Sequence, residues 1–420
     1  TLTVALTDTG LFNDLAGTVK NLTVAGTVTS GKEYIGAVAS NAKGSAVVEN
    51  CTNKADVTNT KSNGSGYAGG IVGGNLDNSN TAVTIRNCRN YGKITSNYNA
   101  GGILGFSSGW QMNSASVTGC ENHGIVYSDG RAGGITSVCS NTAEIHQSLN
   151  TGAVTGNTGA GGIVAMGSYN GLVEQCVNTG AITSASGEAG GIAGYSSSEI
   201  DSCYNTGAVS GNTAGGIVAC QFMDQLPNTH NFVTSKVSNC YTTSTVTGTG
   251  TNPVTGAAVG WLHSGNIVSV EQTTYRDFQV YALEGICAQL VGQKSENAKD
   301  ATAFKTAAEL KSDAMLTTLG DAFKKDAGNI NNGYPVLVWQ VSEACTDHTP
   351  GAAVRENEVP ATCTKDGSHD EVIYCTVCKT EISRTTVTDK ALGHDWDSTT
   401  GKCKRCETAC DHKWTNGKCD

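Results

Sequence analysis

Apolar and polar positions recur through residues 10–260 in one spaced pattern, apolar-x-x-Cys-x-Asn-x-Gly-x-apolar. It reads Ile85, Cys88, Asn90, Gly92, Ile94, and again Val117, Cys120, Asn122, Gly124, Val126. It returns as Val173, Cys176, Asn178, Gly180, Ile182 and as Ile200, Cys203, Asn205, Gly207, Val209. Looser copies surround Cys51, Ser148 and Cys240, and Gly-Gly-Ile precedes most copies, ending at Ile71, Ile103, Ile135, Ile163, Ile192 and Ile217. The central steps (120 to 148, 148 to 176, 176 to 203) are 28, 28 and 27 residues. Self-similarity at a near-fixed period predicts a solenoid, because one repeat cannot bury its own apolar face. Gly, Asn, Thr, Ser and Val favour short strands and turns over helices. Cys, Asn, Gly and the last apolar residue share one parity, so they point to one side of an extended chain. The apolar residue three before the Cys breaks that parity, which predicts a bend. The expected fold is all-β, a right-handed parallel β-helix of about eight rungs.

Stacking accounts for the odd residues. A Cys column fills a narrow interior as a small hydrophobe. Rungs lie ~4.8 Å apart while disulfide Cβ atoms sit ~3.8 Å apart, so reduced, packed thiols are expected. The Asn column (Asn53, Asn90, Asn122, Asn150, Asn178, Asn205) suits left-handed turns and amide bonds between rungs. Gly two residues later suits a tight corner.

Three regions follow. Residues 1–260 form the β-helix. Residues 261–343 form a small α/β cap, with a short helix over 307–319 ended by Gly320, then a strand from Pro335 to Trp339 that covers the open last rung. Solenoids need such caps because exposed edges aggregate. Residues 344–420 form a Cys/His-rich tail. Near the N-terminus stand Leu11-Phe12, then Gly17-Thr18-Val19-Lys20-Asn21-Leu22-Thr23-Val24, followed by the serial Gly-Gly-Ile units. This order resembles the GLUG-motif repeats of bacterial surface proteins. The resemblance covers roughly residues 10–260 and implies a secreted or cell-surface protein of a gut-type bacterium. It implies an adhesin-like protein or a non-catalytic part of a protease, and it supplies no catalytic residues.

Of 17 Cys, eight fall in the last 76 residues. Cys375 and Cys378, and Cys403 and Cys406, form Cys-x2-Cys knuckles; Cys345 with His348, and Cys410 with His412, form Cys/His pairs; Cys363 and His394 stand nearby. Four N or S ligands close a tetrahedral zinc site. Cys363, Cys375, Cys378 and His394 make one such set, in which Cys345 and His348 can replace Cys363 and His394. Disulfides are the competing reading, favoured by an extracellular address. Either staple is structural, since a tail of this size with few apolar groups needs one to fold. The segment from Pro360 to Trp396 resembles tandem modules of secreted Firmicutes proteins, and His394-Asp-Trp396 with Gly401-Lys-Cys403 recurs as His412-Lys-Trp414 with Gly417-Lys-Cys419.

Net charge is −10, from 27 basic and 37 acidic residues without a basic stripe. Nucleic acid and anionic membrane are therefore poor partners, and no apolar run is long enough to span a bilayer. Thr1 and Cys419-Asp420 read as cut ends of a longer precursor. Charged rung residues are scattered (Asp129 with Arg131, Glu144 with His146), and neither a zinc-protease helix nor a nucleophile elbow occurs. Catalysis is therefore not expected. Loops after Gly-Gly-Ile carry Phe106, Trp110, Tyr169, Tyr195 and Phe222, which can tuck under their own loops or offer rings to a glycan or an extracellular protein. The expected role is a non-catalytic adhesin-like or spacer protein. The scaffold of a larger extracellular hydrolase (a protease or polysaccharide-degrading enzyme) and a purely structural surface-layer or stalk component are the alternatives. Oligomeric state is not indicated.

Overall fold

The computed structural model describes residues 1–62, 64–75, 82–107, 115–140, 142–168, 171–222, 224–225, 232–233, 236–262, 278–294, 302–341, 349–375, 381–409, 414–415 and 418–419. Two compact units divide the chain, Thr1–Val338 and Trp339–Asp420.

The first unit is a parallel β-solenoid of about eight turns. One full turn runs through strands Ala115–Thr118, Glu121–Asn122, Val126–Ser128, Arg131–Gly133 and Thr136–Ser140. Each pairs in parallel with its counterpart one turn later. Equivalent residues lie in register: Ile85, Val117, Ile145, Val173, Ile200 and Val237 make one column. The Gly-Gly corner gives an eight-stranded sheet from Tyr34–Gly36 to Val254–Gly256. The Ile of every Gly-Gly-Ile is fully buried, and so is the Ala before it (Ala68, Ala100, Ala132, Ala160, Ala189, Ala214).

The bend implied by the broken parity is present. Asn50, Asn87, Gly119, Gln147, Gln175, Ser202 and Asn239 all have positive φ, between 48° and 63°. Each immediately precedes the Cys (or Ser148), so one left-handed residue swings the chain and returns Cys and Asn to the interior. This corrects the turn role expected of the Asn column. Those Asn sit in short strands, fully buried.

The Asn column is an amide ladder. Nδ2 of Asn53, Asn90, Asn122, Asn150 and Asn178 each donates to Oδ1 of the next Asn at 2.7 Å. Each Nδ2 also donates to the carbonyl two residues on, at 2.9–3.0 Å. Asn205 ends the ladder on Ser244 Oγ at 2.8 Å. Buried amides are thereby satisfied without water. The recurring Gly two positions later answers to space, not φ: a Cβ on Gly124 would lie 2.0 Å from the Gly92 carbonyl oxygen, and one on Gly152 2.0 Å from that of Gly124.

None of the solenoid cysteines Cys51, Cys88, Cys120, Cys176, Cys203 and Cys240 is in a disulfide, and all are buried. Each thiol lies within donating range of the carbonyl two residues back, as in Cys203 to Asp201 at 3.2 Å and Cys176 to Glu174 at 3.3 Å. Ser148 Oγ makes the same bond to His146 at 2.9 Å, which explains why Ser substitutes there.

The parallel ladder runs past residue 260, through Phe278–Leu283, Val291–Lys294 and Ala303–Lys305. Instead of one helix over 307–319 there are two, Ala307–Leu310 and Asp313–Leu319, because Ser312 caps a new start. Thr306 and Glu309 form a capping box, and Gly320 closes the second helix at φ 85°. Val336–Leu337 pairs antiparallel with Phe323–Lys324, and Val338–Gln340 turns into a 3-10 helix. This hairpin packs on outward-facing Tyr241. Phe323 meets the Tyr241 ring at 5.9 Å, Asn331 Nδ2 donates to its hydroxyl at 2.6 Å, and that hydroxyl donates to the Pro335 carbonyl.

The second unit holds a three-stranded antiparallel sheet, Pro350–Val359, Gly367–Cys375 and Glu381–Asp389. Arg384 ties it together, reaching Glu356 and Asp370 at 3.0 Å and Glu381 at 2.8 Å.

Candidate functional site

In the second unit Cys363, His394, Cys403 and Cys406 converge, with all four ligand atoms within 4.8 Å of one another. Cys363 sits in the bend between the first two strands. Leu392 N donates to the Thr362 carbonyl at 2.9 Å, which brings Cys363 alongside the segment leading to His394. Trp396 and Cys403 pair across a short antiparallel bridge, so His394 and the Cys403-Lys-Arg-Cys406 turn arrive together. Arg405, inside that turn, donates to the carbonyls of Leu392 and Gly393 at 3.0 and 3.2 Å. The Trp396 ring stacks on His394 with centroids 4.5 Å apart.

Two edges of this quartet are metal-sized, and all six lie within 4.8 Å. Cys363 and Cys403 sulfurs are 3.7 Å apart, and Cys406 sulfur lies 3.5 Å from His394 Nδ1. A zinc tetrahedron with bonds of ~2.3 Å to sulfur and ~2.0 Å to nitrogen has edges of roughly 3.8 and 3.5 Å. Burial pushes the Cys403 thiol up, but the Arg405 amide, His394 and the amides of Cys406 and Asp395 outweigh it and hold it down at about 5. The Thr408 hydroxyl and amide lower Cys406 as well. Burial, with the Cys406 and Cys403 sulfurs beside it, raises Cys363 to about 11. His394 is raised, chiefly by Cys403. Thiolates beside a cationic imidazole suit a divalent cation that replaces the protons.

The quartet differs from the expected set of Cys363, Cys375, Cys378 and His394. Cys375 ends the nine-residue strand Gly367–Cys375 that begins beside Cys363. At ~3.3 Å per residue such a strand carries its far end ~26 Å away. The second knuckle, folded back by the Trp396 bridge, takes that place. Cys375 is buried and pairs with Pro350 instead. Cys345, His348, Cys378, Cys410 and His412 lie outside the described residues.

On the solenoid, Phe106, Tyr195 and Phe222 are half-buried, while Trp110 and Tyr169 lie outside the described residues. Register joins Met166, Tyr195, Cys220 and Trp261 in one outward column. Phe222 stacks on Tyr195 at 4.4 Å and meets Trp261 at 5.9 Å. Phe106 lies 4.4 Å from Tyr67, which stacks on Tyr34 at 5.2 Å and meets Tyr98 edge-on at 5.5 Å. The rings therefore pack on one another across turns. Tyr34, Tyr67, Tyr98 and Trp261 escaped sequence reading, although Phe106, Met166, Tyr195, Cys220 and Trp261 all stand at one fixed offset beyond the Gly-Gly corner. His146 bridges Glu174 at 3.0 Å and Glu144 at 3.2 Å as a half-exposed surface cluster. No helix among the described residues is long and apolar enough to cross a membrane.

No family model matches this chain, and a comparison with curated proteins found no match. Among solved structures it is similar to one from Bacteroides ovatus, named provisionally as an immunoglobulin A1 protease. The identity is 20% and the TM-score 0.44, over 69% of this chain and 85% of that one.

Proposed function

We propose that this chain is a secreted or cell-surface bacterial scaffold of the GLUG-repeat kind, non-catalytic in itself, whose aromatic column binds a glycan or an extracellular protein. The observation that carries the reading is the in-register outward set around Tyr195, Phe222 and Trp261, repeated around Phe106 and Tyr67. Rings on a rigid, turn-by-turn scaffold present large contact area at low conformational cost. Probing the chain against mucin glycans, plant polysaccharides and matrix proteins tests it. Saturable binding to one class supports the reading; none at all favours a spacer, a stalk, or the scaffold of a larger extracellular hydrolase.

The tail is read as stapled by structural zinc on Cys363, His394, Cys403 and Cys406, supported by the convergence of the four ligand atoms and by two edges that match a zinc tetrahedron. Four protein ligands leave no open position for chemistry. Metal analysis of the reduced chain beside His394→Ala checks this, and the variant is expected to hold one zinc fewer. Equal zinc content in both would contradict it.

A further inference from the structure

We infer that Cys403 and Cys406 are a redox couple held open by the metal: zinc keeps both sulfurs reduced, and in the metal-free chain a small-molecule disulfide closes them into one intra-turn disulfide that erases the site. This rests on the zinc reading above and deepens it into a redox-dependent switch between two kinds of staple.

Exposure supplies the entry point. Cys406 is exposed, His394 is half-buried, and Cys363 and Cys403 are buried. An incoming disulfide therefore meets Cys406 first. Tethering supplies the second step. Only two residues separate Cys403 from Cys406, and Glu407 N, donating to the Cys403 carbonyl at 2.8 Å, folds the segment between them into a turn. Cys363 comes from a different segment, anchored through Thr362. Cys-x2-Cys turns are spaced for intramolecular closure.

The chemistry balances as thiol-disulfide exchange. The Cys406 thiolate attacks one sulfur of RSSR, forming Cys406–S–S–R and releasing one RS−. The Cys403 thiolate then attacks the Cys406 sulfur, forming the Cys403–Cys406 bond and releasing the second RS−. Two protein thiolates lose two electrons, and RSSR gains them. Zinc, deprived of two of its four ligands, cannot rebind until the bond is reduced. In a zinc-rich or reducing setting the Cys403–Cys406 turn is held by metal; in an oxidising, zinc-poor one it is closed by sulfur, with Cys363 left as a thiol.

Incubating the full chain, zinc-loaded and metal-free, with oxidised glutathione and mapping disulfides by mass spectrometry tests this. The metal-free chain is expected to give Cys403–Cys406, to lose zinc uptake at this site, and to recover it with dithiothreitol. If oxidation proceeds through the metal-free form, free zinc at 100 times Kd slows it about 100-fold by mass action. Cys363→Ser is expected to weaken zinc binding while still forming the Cys403–Cys406 bond. Failure of the reduced chain to bind zinc at these residues overturns the zinc reading. Zinc binding with unprotected oxidation, or a bond from Cys363 to either partner in place of Cys403–Cys406, overturns the redox couple alone.

Discussion

At the scale of single residues, the repeat is a set of instructions for stacking. Asn122 accepts from Asn90, and its amide donates both to Asn150 and to the Gly124 carbonyl. Removing it leaves buried partners unpaired, at ~1–3 kcal/mol for each unsatisfied group. Asn122→Ala should therefore lower unfolding free energy by about 3 kcal/mol in urea titrations; a loss under about 0.5 kcal/mol would show that water replaces the amide. Glycines separate by the space around them. Gly124→Ala drives a Cβ to 2.0 Å from a backbone oxygen, whereas at Gly159 the nearest atoms are side-chain atoms at 3.5 Å. The first should cost about 2 kcal/mol or more. The second should be neutral or raise the melting temperature slightly through the unfolded chain. Equal melting shifts would break this account of the corner.

Element by element, legibility followed periodicity. Strand order, the Cys column and the inter-rung Asn ladder were readable because each recurs in every turn. The site of the left-handed bend was not, because Asn50, Gly119, Gln147 and Ser202 share a backbone angle and no side-chain chemistry. The cap occurs once, so no repeat disclosed that Ser312 would split its helix. Nor could spacing alone show which knuckle joins Cys363, since strand length decides it. In the tail sheet, Asp370 is held at about 2 by Asn357 first, then Thr386 and Arg384. A carboxyl lowered on folding contributes stability above its unfolded value of ~3.9, and that contribution is lost as pH falls through about 2. Protection of the amides of residues 367–375, taken relative to intrinsic exchange rates, should therefore fall between pH 4 and 2, and Arg384→Met should blunt that change. An unchanged profile in the variant would remove Arg384 from the explanation.

For the whole molecule, inward positions of the solenoid hold turns together, and the proposed function gives the outward aromatic column the task of meeting a partner. Tyr241 shows that outward rings can also be structural, since the cap hairpin claims it. Phe106 and Tyr195 belong to other packings, on Tyr67 and Phe222. The most direct test is a titration of a Phe106→Ala, Tyr195→Ala chain beside the unaltered chain, against whichever glycan or protein the unaltered chain binds most tightly. The account predicts affinity weakened at least about tenfold, ~1.4 kcal/mol, with circular dichroism unchanged. Equal affinity in the two chains would contradict it and move the partner's site off the aromatic column.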